Sequence, residues 1–351
     1  MSAAPRTVPH PPVEVPHVLG LKPGERVRVR PAAEIFATLD EKGALEGLPF
    51  MPEQLKYCGR VLPVTQRADA TCAGNGLIRR MEHTVHLRSV RCDGSFHDGC
   101  QAGCLMYWKE AWLERAEETT RADPRELEPD EQAFVEETLV PAIKVDEDHY
   151  ACQATEIPKA SQPVRLRDAA QYRRAHGNWK WPKLVKGLWI EAINQWQAFS
   201  RSRLPSWLQI AGGARYPFVL GKLNKGETPK GGHLNLQPGD LVRIKSKKEI
   251  VATLDRDNKN RGLFFDHEMA AYCGRVARVQ GRVNKLIEES NGEMIEIKSD
   301  CILLEGVVCV ADYHLFCTRA IYSYWRELWL EKVEDPAAEP TAPCVDRWSR
   351  A

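Results

Sequence analysis

The sequence predicts an α+β protein with two homologous small β-barrel or β-roll modules, each closed by a C-terminal helix and separated by a helical middle region. Three observations predict this fold class. Residues 23–40 recur as residues 238–255 with ten of eighteen positions identical. Both copies continue with short apolar–polar alternations that are typical of half-buried strands. Both copies also end in a tryptophan-rich run with helical spacing, so the repeat extends over whole modules.

The extent of the repeat sets the expected boundaries of the two modules. The match continues at an offset of 215 residues to Tyr57-Cys58-Gly59, which recurs as Tyr272-Cys273-Gly274, and then resumes at an offset of 217. The sequence therefore predicts five segments. They are a disordered lead over 1–19, a cysteine-rich module one over 20–118, an acidic and then basic helical middle with a connector over 119–234, module two over 235–334 and a disordered tail over 335–351.

Each module is expected to begin with a strand and to continue through a helical turn into antiparallel hairpins. The opening Pro-Gly, an acidic residue and a Val-Arg alternation resemble the start of an SH3-like barrel. Residues 34–40 have helical spacing, and the turn signals at 74–76 and 291–292 mark hairpins. The predicted strands are 27–29, 59–64 and 84–87 in module one, and 242–244, 274–279 and 302–308 in module two.

A tryptophan-rich run is predicted to form the closing helix of each module. Residues 104–113 carry Trp108 and Trp112, and residues 321–330 carry Trp325 and Trp329. Residues four apart share one face of a helix, so both indoles of a pair would cover the core of a small β barrel.

The middle region is expected to form helices over 124–143 and 182–199. The second helix is the most clearly amphipathic of the chain, and Pro182 suits its first turn. Its expected buried face is Val185, Leu188, Trp189, Ala192, Ile193 and Trp196. Residues 109–148 carry fourteen acidic and five basic side chains, whereas residues 159–230 carry fourteen basic and three acidic ones. This polarity indicates either that the two segments pack on each other or that the basic one binds a polyanion.

The composition is that of a soluble globular protein, with 28% charged residues and a net charge of +1. No apolar run approaches the roughly 20 residues of a membrane-spanning helix, and the N-terminus lacks a secretory pattern. We therefore expect no membrane partner and a cytoplasmic location. In such a reducing compartment, eleven cysteines are more often metal ligands or redox centres than disulfides.

Both modules keep a Cys-x4-His-x2-Cys pattern with a further Cys-Gly upstream. Zn²⁺ in closed structural sites takes four ligands, commonly cysteines with or without histidine. The candidate ligands are Cys58, Cys92, His97 and Cys100 in module one, and Cys273, Cys309, His314 and Cys317 in module two. The spacing matches no standard zinc finger, so the hypothesis depends on the duplication. The alternative is that the cysteines are buried core residues and the histidines lie at the surface.

Module one has two cysteines without a counterpart in module two. Cys72 lies near the expected hairpin tip, and Cys104 follows the Cys-x4-His-x2-Cys pattern by four residues. These extra thiols could complete a set of four that would also suit an iron–sulfur cluster. That set is Cys92, Cys100 and Cys104 with Cys72 or Cys58. Cys152 lies outside both modules, and we considered it only as a nucleophile without a fixed partner.

The basic segment 159–230 also carries five tryptophans. Basic groups neutralise phosphates and flat rings stack on unpaired bases, so this mixture is typical of single-stranded nucleic-acid binding. The candidate polyanion-binding residues are Arg173, Arg174, Lys180, Trp181 and Lys183.

Parts of both modules resemble a group of uncharacterised bacterial tandem-module proteins. In module one the matching strings are Thr38-Leu39-Asp40, Gly47-Leu48-Pro49-Phe50-Met51, Tyr57-Cys58-Gly59, Arg91-Cys92-Asp93-Gly94 with His97, Cys100-Gln101-Ala102-Gly103-Cys104, and Trp108-Lys109-Glu110-Ala111-Trp112-Leu113. In module two they are Cys317, Tyr324-Trp325-Arg326-Glu327 and Trp329-Leu330. The resemblance covers most of the chain. It implies a bacterial, cytoplasmic setting but no particular activity.

The sequence therefore favours a function in binding rather than a specific reaction. It contains no phosphate loop, dinucleotide fingerprint, zinc-protease helix or nucleophile elbow. We expect a metal-stabilised protein that binds Zn²⁺ and acts as an accessory or binding protein for an unidentified macromolecule. The alternatives are a metalloenzyme or iron–sulfur redox protein centred on module one, and a nucleic-acid-binding protein.

Overall fold

The computed structural model describes residues 18–73, 77–164, 177–231 and 233–334. It confirms a mixed α/β protein with two five-stranded antiparallel sheets, each curled into half a barrel, and a helical middle region. The chain divides into two compact units. Unit 1 contains the described residues up to Trp179 together with 285–295 and 317–319, and unit 2 contains the remaining described residues.

The strands of both modules follow the same order along the chain. In the module-one region they are β1 Arg26–Val29, β2 Ala44–Leu45, β3 Leu48–Pro49, β4 Val61–Arg67, β5 Thr71–Cys72, β6 Ile78–Arg80, β7 Thr84–Arg91, β8 Leu105–Lys109 and β9 Leu113–Arg115, with β10 Gln162–Pro163 in the middle region. In the module-two region they are β11 Leu241–Ile244, β12 Lys259–Asn260, β13 Leu263–Phe264, β14 Val276–Arg282, β15 Lys285–Ile287, β16 Met294–Glu296, β17 Ile302–Val308, β18 Tyr322–Trp325 and β19 Leu330–Lys332.

The described helices are short, apart from one in the middle region. They are α1 Ala32–Phe36, α2 Pro129–Phe134, α3 Val140–Ile143, α4 Ile157–Ala160, α5 Trp181–Arg203 and α6 Lys247–Val251. A π-helical turn, Val135–Leu139, joins α2 to α3. The helix predicted over 124–143 therefore begins only at Pro129, which occupies its first turn.

The two large sheets have identical strand orders, β8-β7-β4-β1-β9 and β18-β17-β14-β11-β19. The predicted alternation decides which side chains enter the core. In β1, Val27 and Val29 are fully buried, whereas Arg28 between them is only half-buried and pairs with Glu114. A one-residue slip of this strand would exchange the two faces, so the alternation fixes the register.

One repeated motif, Thr-Leu-Asp, has a structural role in each module. The Trp112 indole donates a hydrogen bond to the Thr38 hydroxyl at 3.1 Å, and the Trp329 indole donates to the Thr253 hydroxyl at 2.9 Å. These bonds give each large buried ring a partner for its single N–H group. The repetition of these residues is therefore explained by packing.

The prediction of a closing helix at the end of each module is wrong. Residues 105–115 form β8, a single 3₁₀ turn at Glu110–Trp112, and β9. Module two repeats this arrangement with β18, Glu327–Trp329 and β19. The 3₁₀ turn redirects the chain, so Trp108 and Trp112 both reach the core even though they do not share a helix. Consecutive Tyr and Trp residues also favour a strand.

The predicted buried face of the second middle helix is also wrong. Helix α5 exposes Val185, Leu188, Trp189 and Trp196 to solvent. It buries the face formed by Leu184, Gly187, Ile190, Asn194, Gln197 and Ser200. The buried polar side chains have partners in the segment that follows the helix: Asn194 accepts a hydrogen bond from the Tyr216 amide, and Gln197 donates to the Ile210 carbonyl.

The hairpin predictions have different outcomes. Asn291 lies in the turn between the paired strands β15 and β16, as predicted. Strands β5 and β6 pair antiparallel, but the expected tip at 74–76 lies outside the described residues. No helix within the described ranges is long and apolar enough to cross a membrane.

Candidate metal centres

A short loop after the third strand of each large sheet carries the candidate metal ligands. In module one β7 ends at Arg91, so Cys92 begins the loop and His97 lies on its turn. Gly94 has φ of +74°, and a Cβ atom there would lie 2.2 Å from the Cys100 carbonyl oxygen. The loop therefore requires glycine at this position in order to close tightly over its own end.

Glu53 joins Cys92 and His97 from the 3₁₀ helix Pro52–Tyr57. The Cys92 Sγ lies 3.3 Å from His97 Nε2 and 3.9 Å from Glu53 Oε1, and His97 Nδ1 lies 3.1 Å from the same Glu53 oxygen. Glu53 and His97 are both buried, and Cys92 is partly buried. The three side chains therefore present one ligand atom each within 4.8 Å of one another.

Module two assembles the same three residue types from equivalent places. Glu268 lies on the 3₁₀ helix His267–Tyr272, Cys309 directly follows β17, and His314 lies on the loop turn. The Cys309 Sγ is 3.5 Å from His314 Nδ1. The other ring nitrogen of His314 lies 3.3 Å from an Asp266 carboxylate oxygen. A carboxylate in this position orients an imidazole toward a metal in many metal sites.

In each module, one carboxylate oxygen of the glutamate accepts a hydrogen bond and the other oxygen has no donor among the described residues. Glu53 Oε1 accepts the Phe96 amide hydrogen at 3.3 Å, and Glu268 Oε1 accepts the Tyr313 amide hydrogen at 2.6 Å. Among the described residues, nothing donates to the buried Oε2 atoms of either residue. His97 Nδ1 is close to Glu53 but is not aligned for a hydrogen bond. Buried polar atoms without partners require an explanation, and a bound cation would provide one.

Without a bound cation, burial disfavours the charged forms of Cys92 and Glu268, whereas His314 holds its proton because of its hydrogen-bonding partners. Burial raises the pKa of the Cys92 thiol, and the Glu53 carboxylate raises it further. Burial likewise raises the pKa of Glu268. For His314, burial lowers the pKa, but hydrogen bonds with Asp266 and Cys309 outweigh burial and raise the pKa to about 12. A divalent cation would reverse the preference at Cys92, because its charge stabilises a thiolate.

The other predicted ligands lie outside these two triads. Burial raises the pKa of Cys58 to about 12, and its charged neighbours are Glu131 and Arg125. Burial raises the pKa of Cys273 to about 11, with Lys247 as its charged neighbour. Each cysteine caps the end of a 3₁₀ helix; Cys58 is buried and Cys273 is partly buried, which agrees with the core interpretation.

The remaining predicted cysteines have two different locations in unit 1. Cys72 and Cys317 form a close pair, with their Sγ atoms 3.3 Å apart. Cys100 and Cys104 line a cavity beside Cys92 and His97. Cys317 thus lies with Cys72, whereas the residue that joins Cys309 and His314 in a group that could hold a metal ion is Glu268.

The sequence interpretation missed three residues of these clusters. Glu53 and Glu268 match across the repeat at the same offset of 215 as the surrounding residues, so the signal was present but was assigned to neither site. Cys152, which we considered only as an isolated nucleophile, lines the same cavity as Cys100 and Cys104. No repeat signal could have found it, because it has no counterpart in module two.

The five predicted polyanion-binding residues differ in exposure and in whether the structure describes them. Arg173 and Arg174 lie outside the described residues. Lys183 is engaged within unit 2, where it contacts the Val310 carbonyl and the Asp312 carboxylate. Lys180 and Trp181 are exposed, with 65% of Trp181 accessible.

Comparison of the chain with protein-family models, with curated proteins and with solved structures finds no match. The function must therefore be argued from the two triads and the surfaces of the chain itself.

Proposed function

We propose that this is a zinc-binding protein in which each module holds one Zn²⁺ through a glutamate, a cysteine and a histidine. The observation that carries this proposal is the duplication of the triad. Glu53, Cys92 and His97 gather in module one, and their repeat counterparts Glu268, Cys309 and His314 gather in module two. Two loops that differ in most other positions have kept the same three donor types, although Cys92 faces Nε2 of its histidine and Cys309 faces Nδ1.

The distances within each triad support a tetrahedral ion. Zn–S and Zn–N bonds of about 2.3 and 2.0 Å separate the two ligand atoms by about 3.5 Å at a tetrahedral angle. The sulfur–nitrogen distances of 3.3 and 3.5 Å are close to this value. Small rotations of the side chains would bring one carboxylate oxygen into the set. Three protein ligands leave a fourth position for water or a further side chain.

The role that fits these sites best is stabilisation of a binding scaffold. Each triad joins a loop to a 3₁₀ helix of the same module, so a metal ion would fix the loop against the sheet. The strand order of the two sheets supports an SH3-like arrangement for each module. We therefore propose an accessory or binding protein, and the bacterial cytoplasm remains the location predicted from the sequence.

Elemental analysis of the purified full-length protein and five variants tests this proposal. We expect two zinc ions per chain in the wild type, one in Cys92→Ser, one in Cys309→Ser and none in the double variant. Cys58→Ala and Cys273→Ala are matched controls, because both were candidate ligands and both lie outside the triads; they should keep two ions. Iron with inorganic sulfide and visible absorption would instead support the iron–sulfur alternative. Zinc content that does not respond to Cys92 or Cys309 would contradict the proposal.

A second candidate function is the binding of single-stranded nucleic acid through α5. Trp181, Trp189 and Trp196 have exposed fractions of 65%, 58% and 52%, so the indoles could stack on bases. Exposed basic side chains lie at both ends of the helix, including Lys180 and Arg203. The helix contains a single acidic residue, so a negatively charged partner suits this surface.

Retention on an immobilised oligonucleotide as a function of salt tests this second candidate. We expect binding that weakens steeply with salt and that falls about tenfold in Trp196→Ala, because one stacked base contributes about 1–3 kcal/mol. Lys56→Gln is the matched control, since Lys56 is an exposed lysine of module one that pairs with Asp93. Equal retention of Trp196→Ala and the wild type would exclude α5 as the binding surface.

A further inference from the structure

Two cysteines that are distant in the sequence meet in unit 1. The Sγ atoms of Cys72 and Cys317 lie 3.3 Å apart, although 245 positions separate the two residues along the chain. The Cys72 amide also donates a hydrogen bond to the Cys317 sulfur at 3.3 Å. Cys72 is partly buried and Cys317 is buried. A disulfide bond is about 2.05 Å long, so the two sulfurs need to approach each other by only about 1.2 Å to form one.

Hydrogen bonds fix the segment that begins at Cys317 against the chain at β5. The Thr318 amide donates to the Ala70 carbonyl at 2.8 Å, and the Thr318 hydroxyl donates to the same oxygen at 3.1 Å. Arg319 Nη1 donates to the Cys72 carbonyl at 2.9 Å. These bonds hold the backbone next to each sulfur, so the two thiols are neighbours without a covalent bond between them.

The same backbone contact occurs a second time in unit 1. The counterpart of Thr318 is Gln101, and its amide donates to the carbonyl of Lys285, the counterpart of Ala70, at 3.1 Å. The two contacts correspond at the offsets of 217 and 215 that relate the modules. The repeat therefore provides an internal comparison for the cysteine pair.

The second contact has only one cysteine. Cys317 corresponds to Cys100, whereas Cys72 corresponds to Ile287. The Ile287 amide donates to Cys100 Sγ at 3.4 Å, just as the Cys72 amide donates to Cys317 Sγ. The contact forms with isoleucine in place of cysteine, so packing does not require a thiol at position 72.

A buried positive charge lies beside the cysteine pair. The Arg319 guanidinium is buried, donates to both carboxylate oxygens of Glu289 at 2.7 and 2.6 Å, and interacts electrostatically with Cys72. Glu289 balances part of this charge and holds the guanidinium in place. A nearby cation and an amide donor both favour the thiolate form of cysteine, which is the form that attacks a disulfide. The surroundings therefore favour thiol–disulfide exchange at this pair.

We propose that Cys72 and Cys317 form a redox-active dithiol whose substrate is a small disulfide of the glutathione type. The Cys72 thiolate attacks one sulfur of the small disulfide, which breaks the S–S bond and releases a thiolate that takes up a proton. The Cys317 thiol then loses its proton and attacks the Cys72 sulfur, which releases the second small thiol. Two protein thiols are thereby oxidised to one disulfide, and one small disulfide is reduced to two thiols.

This inference goes beyond the proposed function and does not rest on it, because neither cysteine belongs to a metal triad. Disulfides in a reducing compartment are usually transient and report on the redox state. The pair would therefore sense the ratio of oxidised to reduced small thiols.

Incubation of the full-length protein with mixtures of oxidised and reduced glutathione, followed by alkylation and peptide mass mapping, tests the inference. We expect two fewer alkylated cysteines, peptides that link Cys72 to Cys317, and reversal in excess reduced glutathione. The oxidised chain should unfold at a urea concentration about 1–2 M higher than the reduced chain, because the bond closes a long loop of the unfolded chain. Cys317→Ser should retain one glutathione on Cys72 as a mixed disulfide, since the second thiol is missing.

Cys72→Ile is the matched control, because it copies the residue of the equivalent contact, Ile287. It should form no link, and oxidation should not change its urea midpoint. Absence of the linked peptide from the wild type at the highest proportion of oxidised glutathione would overturn the inference. Equal loss of alkylated cysteines in Cys72→Ile, or links between cysteines of the triads instead, would also overturn it.

A Cys72–Cys317 bond that excess reduced glutathione does not break would be a permanent cross-link and would contradict an exchange site. If a variant fails to fold, the peptide map of the wild type decides alone. Zinc content measured on the same samples tests the metal proposal separately, so the failure of one proposal is distinguishable from the failure of the other.

Discussion

Replacement of Glu110 by alanine is expected to destabilise unit 1 by about 3–5 kcal/mol, the usual cost of breaking a buried ion pair from one side. The Glu110 side chain is fully buried. It accepts hydrogen bonds from the amides of Leu19, Gly20 and Leu21 at 2.6, 2.8 and 3.0 Å. It also pairs with the Arg67 guanidinium at 3.2 Å. This single carboxylate therefore holds the chain segment that enters β1.

The expected loss of stability follows from the groups that no longer have Glu110 as a hydrogen-bond or ion-pair partner. Hydrogen bonds to a charged group contribute about 1.5–3 kcal/mol each, but water can replace those made to the partly exposed amides of Leu19 and Gly20. The Leu21 amide is buried and loses its acceptor, and the mostly buried Arg67 loses one of its two carboxylates, since its pair with Asp69 at 3.1 Å remains. These two groups account for most of the expected loss.

Urea unfolding followed by tryptophan fluorescence measures the effect, since Trp108 and Trp112 lie on either side of Glu110 in the sequence. With a slope of about 2 kcal/mol per molar urea, the midpoint of the unit 1 transition should fall by roughly 2 M. Glu114→Ala is the matched control, because that carboxylate is partly exposed and pairs with Arg28; it should cost under about 1 kcal/mol. A Glu110→Ala midpoint no lower than that of Glu114→Ala would refute the reasoning.

Two further predictions concern His86 and Gly187. Burial lowers the pKa of His86 to about 4, below the roughly 6.5 of an unfolded histidine, so stability is full above pH 6.5 and falls by up to about 3 kcal/mol as pH drops toward 4. His86→Leu should remove this slope in urea midpoints measured from pH 7 to 4, and an unchanged slope would contradict the assignment. A Cβ at Gly187 would lie 2.6 Å from the Phe316 ring, so Gly187→Ala should destabilise unit 2 by about 1–3 kcal/mol. Gly281→Ala, also in unit 2 and with nothing within 4 Å of the added Cβ, is its control, and equal thermal midpoints would exclude the close approach.

The sequence was most informative where one physical rule dominated. Alternation in β1 and β11 identified the strands, because burial of one face depends on a period of two. The tryptophan runs misled us for the opposite reason. Spacing of four fits a helix, but a 3₁₀ turn between two strands brings Trp108 and Trp112 to the same core. Period alone cannot distinguish these two arrangements in a run of ten residues.

The candidate site was only partly predictable, because ligands were sought among cysteines and histidines alone. The repeat identified Cys92 and His97. Glu53 also recurs as Glu268, but in the sequence it could not be distinguished from a glutamate exposed to solvent in a turn. The exposed face of α5 was missed because its orientation depends on contacts distant in sequence. Gly187 allows Phe316 to approach, and Asn194 is held by the Tyr216 amide. Hydrophobicity at helical spacing does not contain that information.

Zinc K-edge absorption of the zinc-loaded wild-type protein distinguishes a Glu/Cys/His site from an all-cysteine site. We expect an average of one sulfur neighbour per zinc at about 2.3 Å and the multiple scattering of one imidazole, with oxygen completing the shell at about 2.0–2.2 Å. That environment corresponds to Glu53, Cys92 and His97 and to their counterparts in module two. Three or four sulfur neighbours per zinc would contradict the account, because the metal would then lie among the cysteines alone.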